Sequence, residues 1–358
     1  DLVRSRGLGD VYKRQILVSP VYNAVKDLNR MQLLGLENPL SVFLNESLRL
    51  CSKNNSCGVL VYVPDTKYFV DQFWGLYHSV VTNECLSFCD FIVACPTDMT
   101  EKLPQNPQRC KTFITGELAA DTSFSYYNGN PYEFINSFVH FKNEEILREL
   151  HKYTNLLRID CDTFICPSFK GLELSSNEIM VGQGAYNNEV VRSHLVETAK
   201  KLSFDTYNPD KTRNVGSTWF SRTETMIPLG KKTIEVVSHL LNYDETFVEG
   251  EGVWPEWYAG VVLLYAGDLV VNSTDLKVTK QEFDGGTAST EDISTYFTLH
   301  SWHSGEYFSK MIWNNFTAYG DMPTPQRSSI SNKYAHYHAH EGREERKKKY
   351  QYDEDFNG

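Results

Sequence analysis

The sequence predicts an α/β fold: a single domain with a mostly parallel sheet flanked by helices, and two aspartates at a strand end. Three observations predict it. Short apolar runs stopped by proline recur at Gly58–Pro64 and Asp90–Pro96, the pattern of strands buried on both faces. Segments with apolar residues at helical spacing separate them. A further run, Leu156-Leu-Arg-Ile-Asp160-Cys-Asp162-Thr-Phe-Ile-Cys-Pro167, sets two acids inside apolar surroundings. Open α/β sheets bind ligands beyond the C-terminal ends of their strands.

Taken in order, residues 1–15 stand apart from the fold. Ser5-Arg-Gly-Leu-Gly-Asp-Val-Tyr-Lys-Arg-Gln15 matches the in-frame translation of a transposase-type sequencing-library adapter, and such segments are excluded from fold reasoning. On that reading the natural N-terminus is missing, and membrane attachment through a lost anchor stays open. Residues 16–57 read as a helical extension, with Leu28, Met31, Leu34, Leu44 and Leu48 near helical spacing. Residues 58–321 form the domain. After its first strand, Asp65 is placed to cap a helix in which Phe69, Phe73, Leu76, Tyr77 and Val80 share a face. Lys111–Ile114 reads as a short strand, and Pro131–Phe141 and Glu144–Thr154 as helices.

Beyond the two aspartates, Val181–Tyr186 reads as a glycine-bearing loop able to approach a ligand closely. Val190–Leu202 reads as a helix, Arg213–Phe220 as a small-residue turn and Lys231–Asn242 as an amphipathic helix. Pro255 is placed to open another helix. Residues 322–358 read as a polar, disordered tail because of the charge run Arg343–Lys349. His336, His338 and His340 would then be solvated.

Composition narrows the function classes. The net charge of −11 and pI near 5.4 argue against a nucleic-acid partner, which calls for a basic face. No apolar run is long enough to span a bilayer. The dinucleotide fingerprint G-x-G-x-x-G and the phosphate-loop lysine are both absent. Of eight cysteines, Cys51 with Cys57 and Cys95 with Cys110 flank turns that can close as disulfides. Together with sequons at Asn45, Asn54, Asn272 and Asn315, they favour a secretory compartment.

The acids carry the chemistry. Asp160 and Asp162 would face the same way on a regular strand, and two close carboxylates call for a cation. Hard oxygen donors suit Mn²⁺ or Mg²⁺. The bland alternative makes both aspartates turn or cap residues. A haloacid-dehalogenase-type phosphatase also begins D-x-D, but Phe164 stands where that motif wants Thr or Val. A second cluster holds His300, His303, Gly305 and Lys310. Imidazole completes such coordination, and lysine neutralises a leaving diphosphate; the alternative is two hydrogen-bonded core histidines. A third set, Asn214, Gly216 and Trp219 with Glu256 near Trp254 and Trp257, suits a sugar pocket as well as ordinary turn and core chemistry. For an acid or base, Glu256, Glu251 and Asp268 are the candidates.

These landmarks in order resemble the GT-A, or nucleotide-diphospho-sugar transferase, superfamily, and most nearly a eukaryotic family of unknown function within or near it. The pattern comprises Leu157-Arg158-x-Asp160-x-Asp162-x-Phe164-x-x-Pro167, Asn214-Val-Gly-Ser-Thr-Trp219, Trp254-Pro-x-Trp257-Tyr-x-Gly-Val261 with Leu264-Tyr-Ala-Gly267, and His300-x-x-His303 with Phe308-Ser-Lys310. The resemblance covers Gly58 to Asp321. It implies a GT-A-like fold and a metal-dependent glycosyltransferase moving sugar from a UDP- or GDP-sugar to a glycan, protein or lipid acceptor, in the Golgi or secretory lumen. It assigns metal to Asp160 and Asp162, joined by His300 or His303. It assigns the donor diphosphate to Lys310 and Gly305; the donor is further expected at the loop at Pro64 and Asp65, at Arg158, and at Asn214, Gly216 and Trp219. In glycogenin-like members the late motif is H-x-x-G-x-x-K; here the glycine after His303 comes one residue early. A catalytically silent sugar- or nucleotide-binding protein is the alternative.

Overall fold

The computed structural model describes residues 56–106, 108–250, 252–280, 283–303, 307–319 and 323–350. The expected extension 16–57 lies outside them except for its last two residues, and residues 1–15 lie outside entirely. The strands are β1 (Cys57–Tyr62), β2 (Cys89–Cys95), β3 (Cys110–Ile114), β4 (Asn155–Arg158), β5 (Thr163–Ile165), β6 (Glu178–Gln183), β7 (Val215–Arg222), β8 (Lys277–Thr279), β9 (Asp284–Gly286) and β10 (Thr298–His300). The helices are α1 (Lys67–Thr82), α2 (Glu144–Leu150), α3 (Glu189–Lys201), α4 (Thr223–Tyr243), α5 (Glu245–Val248), α6 (Val262–Asn272), α7 (Lys310–Tyr319) and α8 (Ser331–Lys349).

Seven strands form one sheet in the order β3-β2-β1-β4-β7-β6-β8, and a smaller sheet has the order β5-β10-β9. In the large sheet β1 pairs in parallel with both β2 and β4, and β2 with β3. Only β7 runs against its neighbours. Because β1 leads to β2 on one side and neighbours β4 on the other, the chain reverses direction across the sheet between β1 and β4. Ligands bind in the crevice that such a reversal opens at the strand C-termini.

Side-chain alternation divides the core between the two faces of the sheet. Val59, Val61, Phe91, Val93 and Leu157 pack with Phe73, Leu76 and Val80 of α1. Leu60, Ile92 and Leu156 pack with Ile135 and Phe138 of the 3₁₀ segment Glu133–Phe141, Met226 and Ile234 of α4, and Leu269 of α6. The apolar runs at Gly58 and Asp90 thus form strands buried on both sides, as the sequence predicts.

The structure differs from the sequence-based expectations at several points. The run from Leu156 to Pro167 is not one strand. It breaks after Arg158, and its second half crosses to the small sheet as β5. The expected turn Arg213–Phe220 is largely strand β7, whose small residues meet β6 closely: a Cβ on Gly216 would lie 2.8 Å from backbone carbons of Gly182 and Gln183. Pro255 lies in the loop before α6, which begins at Val262. Asp65 does not cap α1; it accepts from Thr97 Oγ1 at 2.7 Å and pairs with Lys102. Cys95 and Cys110 are free and buried, as is every described cysteine. Cys51 lies outside the described residues.

The tail is the largest correction. Ser331–Lys349 is a helix, not a disordered segment, and it packs on α1. The two backbones touch: a Cβ on Gly342 would lie 2.4 Å from the Trp74 carbonyl oxygen, and one on Gly75 3.2 Å from Ala339 Cα. The charge run does not mark a solvated segment, because part of it faces inward. Buried Arg346 places Nη2 2.8 Å from Asp71, itself fully buried, and Arg343 Nε lies 3.9 Å from the same carboxylate. His336 and His338 are buried too, and His338 Nδ1 lies 2.8 Å from His78 Nδ1. No helix among the described residues is long and apolar enough to cross a membrane.

Candidate metal and ligand site

The turn Ile159–Asp162 joins the two sheets at the crevice between β1 and β4. Ile159 N donates to Leu60 O at 3.1 Å, and the Cys161 thiol points back to Tyr62 O at 3.1 Å. These contacts hold the middle of the turn against the end of β1. Thr163 N donates to Asp160 O at 3.2 Å, and Ser301 N to Asp162 O at 2.9 Å. The backbone is therefore pinned on both sides. The aspartate side chains are left to differ: that of Asp160 is 34% exposed and that of Asp162 only 2%.

His300, the last residue of β10, completes a group. Asp160, Asp162 and His300 each offer a ligand atom, and these atoms all lie within 4.8 Å of one another. His300 Nε2 is 3.4 Å from Asp162 Oδ1, and Lys310 Nζ at the start of α7 is 2.8 Å from Asp162 Oδ2. The lysine contact is an ion pair to a carboxylate almost wholly buried. Two carboxylates and an imidazole make a donor set able to hold a metal ion, and Asp160 is the acid that reaches solvent.

The charges respond to one another. Burial opposes ionisation of Asp162, but Lys310 and His300 outweigh it and hold its carboxyl well below the usual range. Burial also opposes protonation of His300, yet Asp162 and then Asp284 push it up to about 9. Lys310 is raised by Asp162 despite its own burial. Asp162, His300 and Lys310 are thus a network of mutually stabilising charges.

Arg158 carries the other half of that balance. It is fully buried at the end of β4, with Nη2 2.9 Å from Asp160 Oδ1. It also donates to Ser137 Oγ and to Ser217 O, and its guanidinium lies 4.8 Å from the Phe138 ring centre. Its contacts make it a positioning group for Asp160 rather than the direct donor ligand expected from the sequence.

The remaining expected residues divide clearly. Pro64 and Asp65 follow the C-terminal end of β1, the neighbour of β4, and the Asp65 carboxylate is engaged by Thr97 and Lys102. His303 is exposed and outside the triad; of the two histidines, His300 is the one the fold delivers. Gly305 and Glu251 lie outside the described residues. Trp219 is buried, donates to Gly216 O at 2.8 Å and meets Phe138 edge-on, so it is a core residue and not a sugar platform. Asn214 accepts from Tyr186 N at 2.9 Å and Asn187 N at 2.6 Å, and Gly216 serves the β6–β7 contact; both are structural.

Asp268 is not an available base. It is buried in α6, and Asn272 (2.7 Å), Tyr186 (3.1 Å), Tyr207 (3.3 Å) and Asn187 (3.4 Å) all donate to it. Burial raises its pKa over the pull of those donors. The Asn272 side chain is committed to this cage and to Thr212 O, which closes that sequon in the folded chain. Glu256 is exposed in the loop before α6, and no recorded contact joins it to the aspartates.

Sequence reasoning missed Asp284. It stands at the start of β9 and, like His300, is brought in by the small sheet. Its only local signal is Asp284-Gly-Gly286, which reads as a turn.

Residues 52–355 match the family described as "Domain of unknown function (DUF7164)", and the chain belongs to it. That span includes α8, in keeping with its place in the core. No curated protein matches the chain.

Proposed function

We propose that this DUF7164 member is a metal-dependent glycosyltransferase with a GT-A-like fold, acting on a nucleotide-diphosphate-sugar donor and a glycan, protein or lipid acceptor. One observation carries the reading. The two carboxylates and the imidazole converge within 4.8 Å, beyond the C-terminal ends of the adjacent strands β1 and β4, with Lys310 beside them.

Asp160, Asp162 and His300 would hold Mn²⁺ or Mg²⁺, which when bound supplies positive charge to a diphosphate leaving group. Lys310 would turn from Asp162 toward that diphosphate and stabilise its developing charge. Arg158 keeps Asp160 in place. The loop at Pro64 and Asp65 offers its backbone to the nucleotide. The turn beneath is buried and hydrogen-bonded, so the ligand atoms need little reorganisation at the moment of reaction.

One observation favours a second reading, a catalytically silent sugar- or nucleotide-binding protein: Lys310 and His300 already balance the charge of Asp162. Thermal shifts with UDP and GDP, with and without Mn²⁺, on wild type and D160N test the donor site. Ligand at about a hundred times its dissociation constant stabilises by roughly 2.7 kcal/mol. A nucleotide shift that needs both Mn²⁺ and Asp160 is the expected result, with slow Mn²⁺-dependent hydrolysis of the matching nucleotide sugar. A shift without hydrolysis favours the silent protein, and no shift with either nucleotide overturns the donor site.

A further inference from the structure

His300 has two ring nitrogens, and the structure sets a different carboxylate against each. Nε2 faces Asp162 at 3.4 Å and Nδ1 faces Asp284 Oδ2 at 3.9 Å. No other partner of Nδ1 is recorded among the described residues. A metal ligand must present a bare nitrogen, so the proton of a neutral His300 has to reside on the nitrogen turned away from the metal. Asp284 is the group on that side.

Asp284 is held for such a task. Its side chain is 1% exposed. Thr218 Oγ1 of β7 donates to Oδ2 at 3.0 Å, and Thr298 Oγ1 of β10 to Oδ1 at 2.8 Å. One hydroxyl comes from each sheet, so the carboxylate is fixed relative to both. Thr298 and His300 are two apart on β10, on the same face, and Asp284 is the register partner of Thr298 on β9. Space is kept for it as well: a Cβ on Gly182 would lie 2.5 Å from Oδ2. The Coulombic demands of Asp162 do not explain this arrangement, because Lys310 already meets them from the opposite side.

We propose that Asp284 is the positioning residue of the metal site: from 3.9 Å it closes on the Nδ1–H of His300, fixes that tautomer and so presents Nε2 to the divalent cation. This rests on the metal-site reading above and goes beyond it in assigning a role to a residue outside the triad. Partners of this kind commonly change metal affinity by roughly 10- to 100-fold when removed.

The test is Mn²⁺ titration by calorimetry, without nucleotide or activity, on wild type, D284N, T298V and H300A. D284N should bind roughly 10- to 100-fold more weakly while its thermal midpoint in EDTA stays near that of wild type. T298V, which frees one oxygen of Asp284, should show a smaller loss in the same direction. Imidazole ¹⁵N shifts of wild type with Mg²⁺ should report the Nδ1–H tautomer of His300, a readout a merely structural aspartate would not set. If D284N matches wild type within twofold while H300A loses binding, the role of Asp284 falls and the metal site stands. An Nε2–H tautomer in Mg²⁺-loaded wild type overturns the role even if D284N does not fold. Wild type that binds no Mn²⁺ at any pH from 6 to 9 overturns the metal site and this inference together.

Discussion

Lys310 Nζ stands 2.8 Å from Oδ2 of the buried Asp162. A long side chain at a helix start reaches across to a turn that ends a strand, and neither the helix nor the strand alone implies the other. In the proposed mechanism this lysine is shared between the resting cluster and the donor diphosphate. Removing a preorganised charge of this kind costs roughly 10²–10³ in kcat. We expect K310M to lose that much transfer activity, with Mn²⁺ binding retained, measured by steady-state kinetics with saturating metal. Wild-type kcat in K310M would exclude the lysine from catalysis.

D160N and D162N should each abolish transfer. They should differ in stability, because Asp162 is buried between Lys310 and His300 and Asp160 is half open to solvent. D162N removes the buried counter-charge of the partly buried Lys310 and His300, so it should be the less stable protein in urea denaturation. Equal midpoints for the two variants would contradict the charge balance described here.

Arg158 is expected to matter for stability more than its single ion pair suggests. Breaking a buried pair by deleting one partner costs about 3–5 kcal/mol. Asp160 is partly solvated, so R158M should fall at or below about 3 kcal/mol, the low end of that range. Chemical denaturation measures it directly. A change under about 0.5 kcal/mol, the scale of ordinary surface substitutions, would mean the guanidinium is not held as seen.

Gly216 should tolerate no side chain. An alanine Cβ there meets the backbone carbons of Gly182 and Gln183 at 2.8 Å, and backbone yields less easily than a flexible side chain. Overpacking of this kind costs typically about 1–3 kcal/mol. G216A is therefore expected to lower the thermal midpoint, whereas G171A, whose Cβ would meet nothing within 4 Å, should leave it unchanged.

Glu178 sets part of the acid limit of the fold. Burial opposes its ionisation, but Thr279, Lys277 and Ser175 together lower its pKa from 4.5 to about 2. The contribution is therefore fully present above the unfolded value and is lost as pH falls from about 4.5 through about 2. This is the sign for a depressed carboxyl. E178Q should flatten stability against pH within that window and leave its slope above pH 5 unchanged. Parallel curves for the two proteins below pH 4 would refute the assignment.

Strands β1 and β2 were legible because they are buried on both faces, and burial on both faces writes continuous apolar runs such as Gly58–Pro64; β6 and β7, whose small residues read as a loop and a turn, were not. The pair Asp160 and Asp162 was legible for the converse reason, since acids within such a run are costly unless compensated. Asp284 was not legible, because its importance comes from a parallel pairing with β10 that no local pattern encodes. The tail misled because charge was read as solvation, whereas Arg343 and Arg346 turn inward to Asp71. Trp219 and Asn214 misled in the opposite way. Their residue types suit a sugar pocket, but their polar atoms are spent on the backbone of their own neighbours.

The docking of α8 on α1 has a consequence for biosynthesis. The histidine contact between them spans 260 positions, and α8 follows every other described helix and strand in the chain. During translation, α1 must wait with Trp74 and Asp71 uncovered until the other described helices and strands have been made. Contacts of such long range slow folding, and chains fold broadly from the N-terminal end as they emerge. A ribosome halted before Ser331 would therefore display a nascent chain with its large sheet available but its first helix still open, a species for chaperones to hold until the last helix arrives.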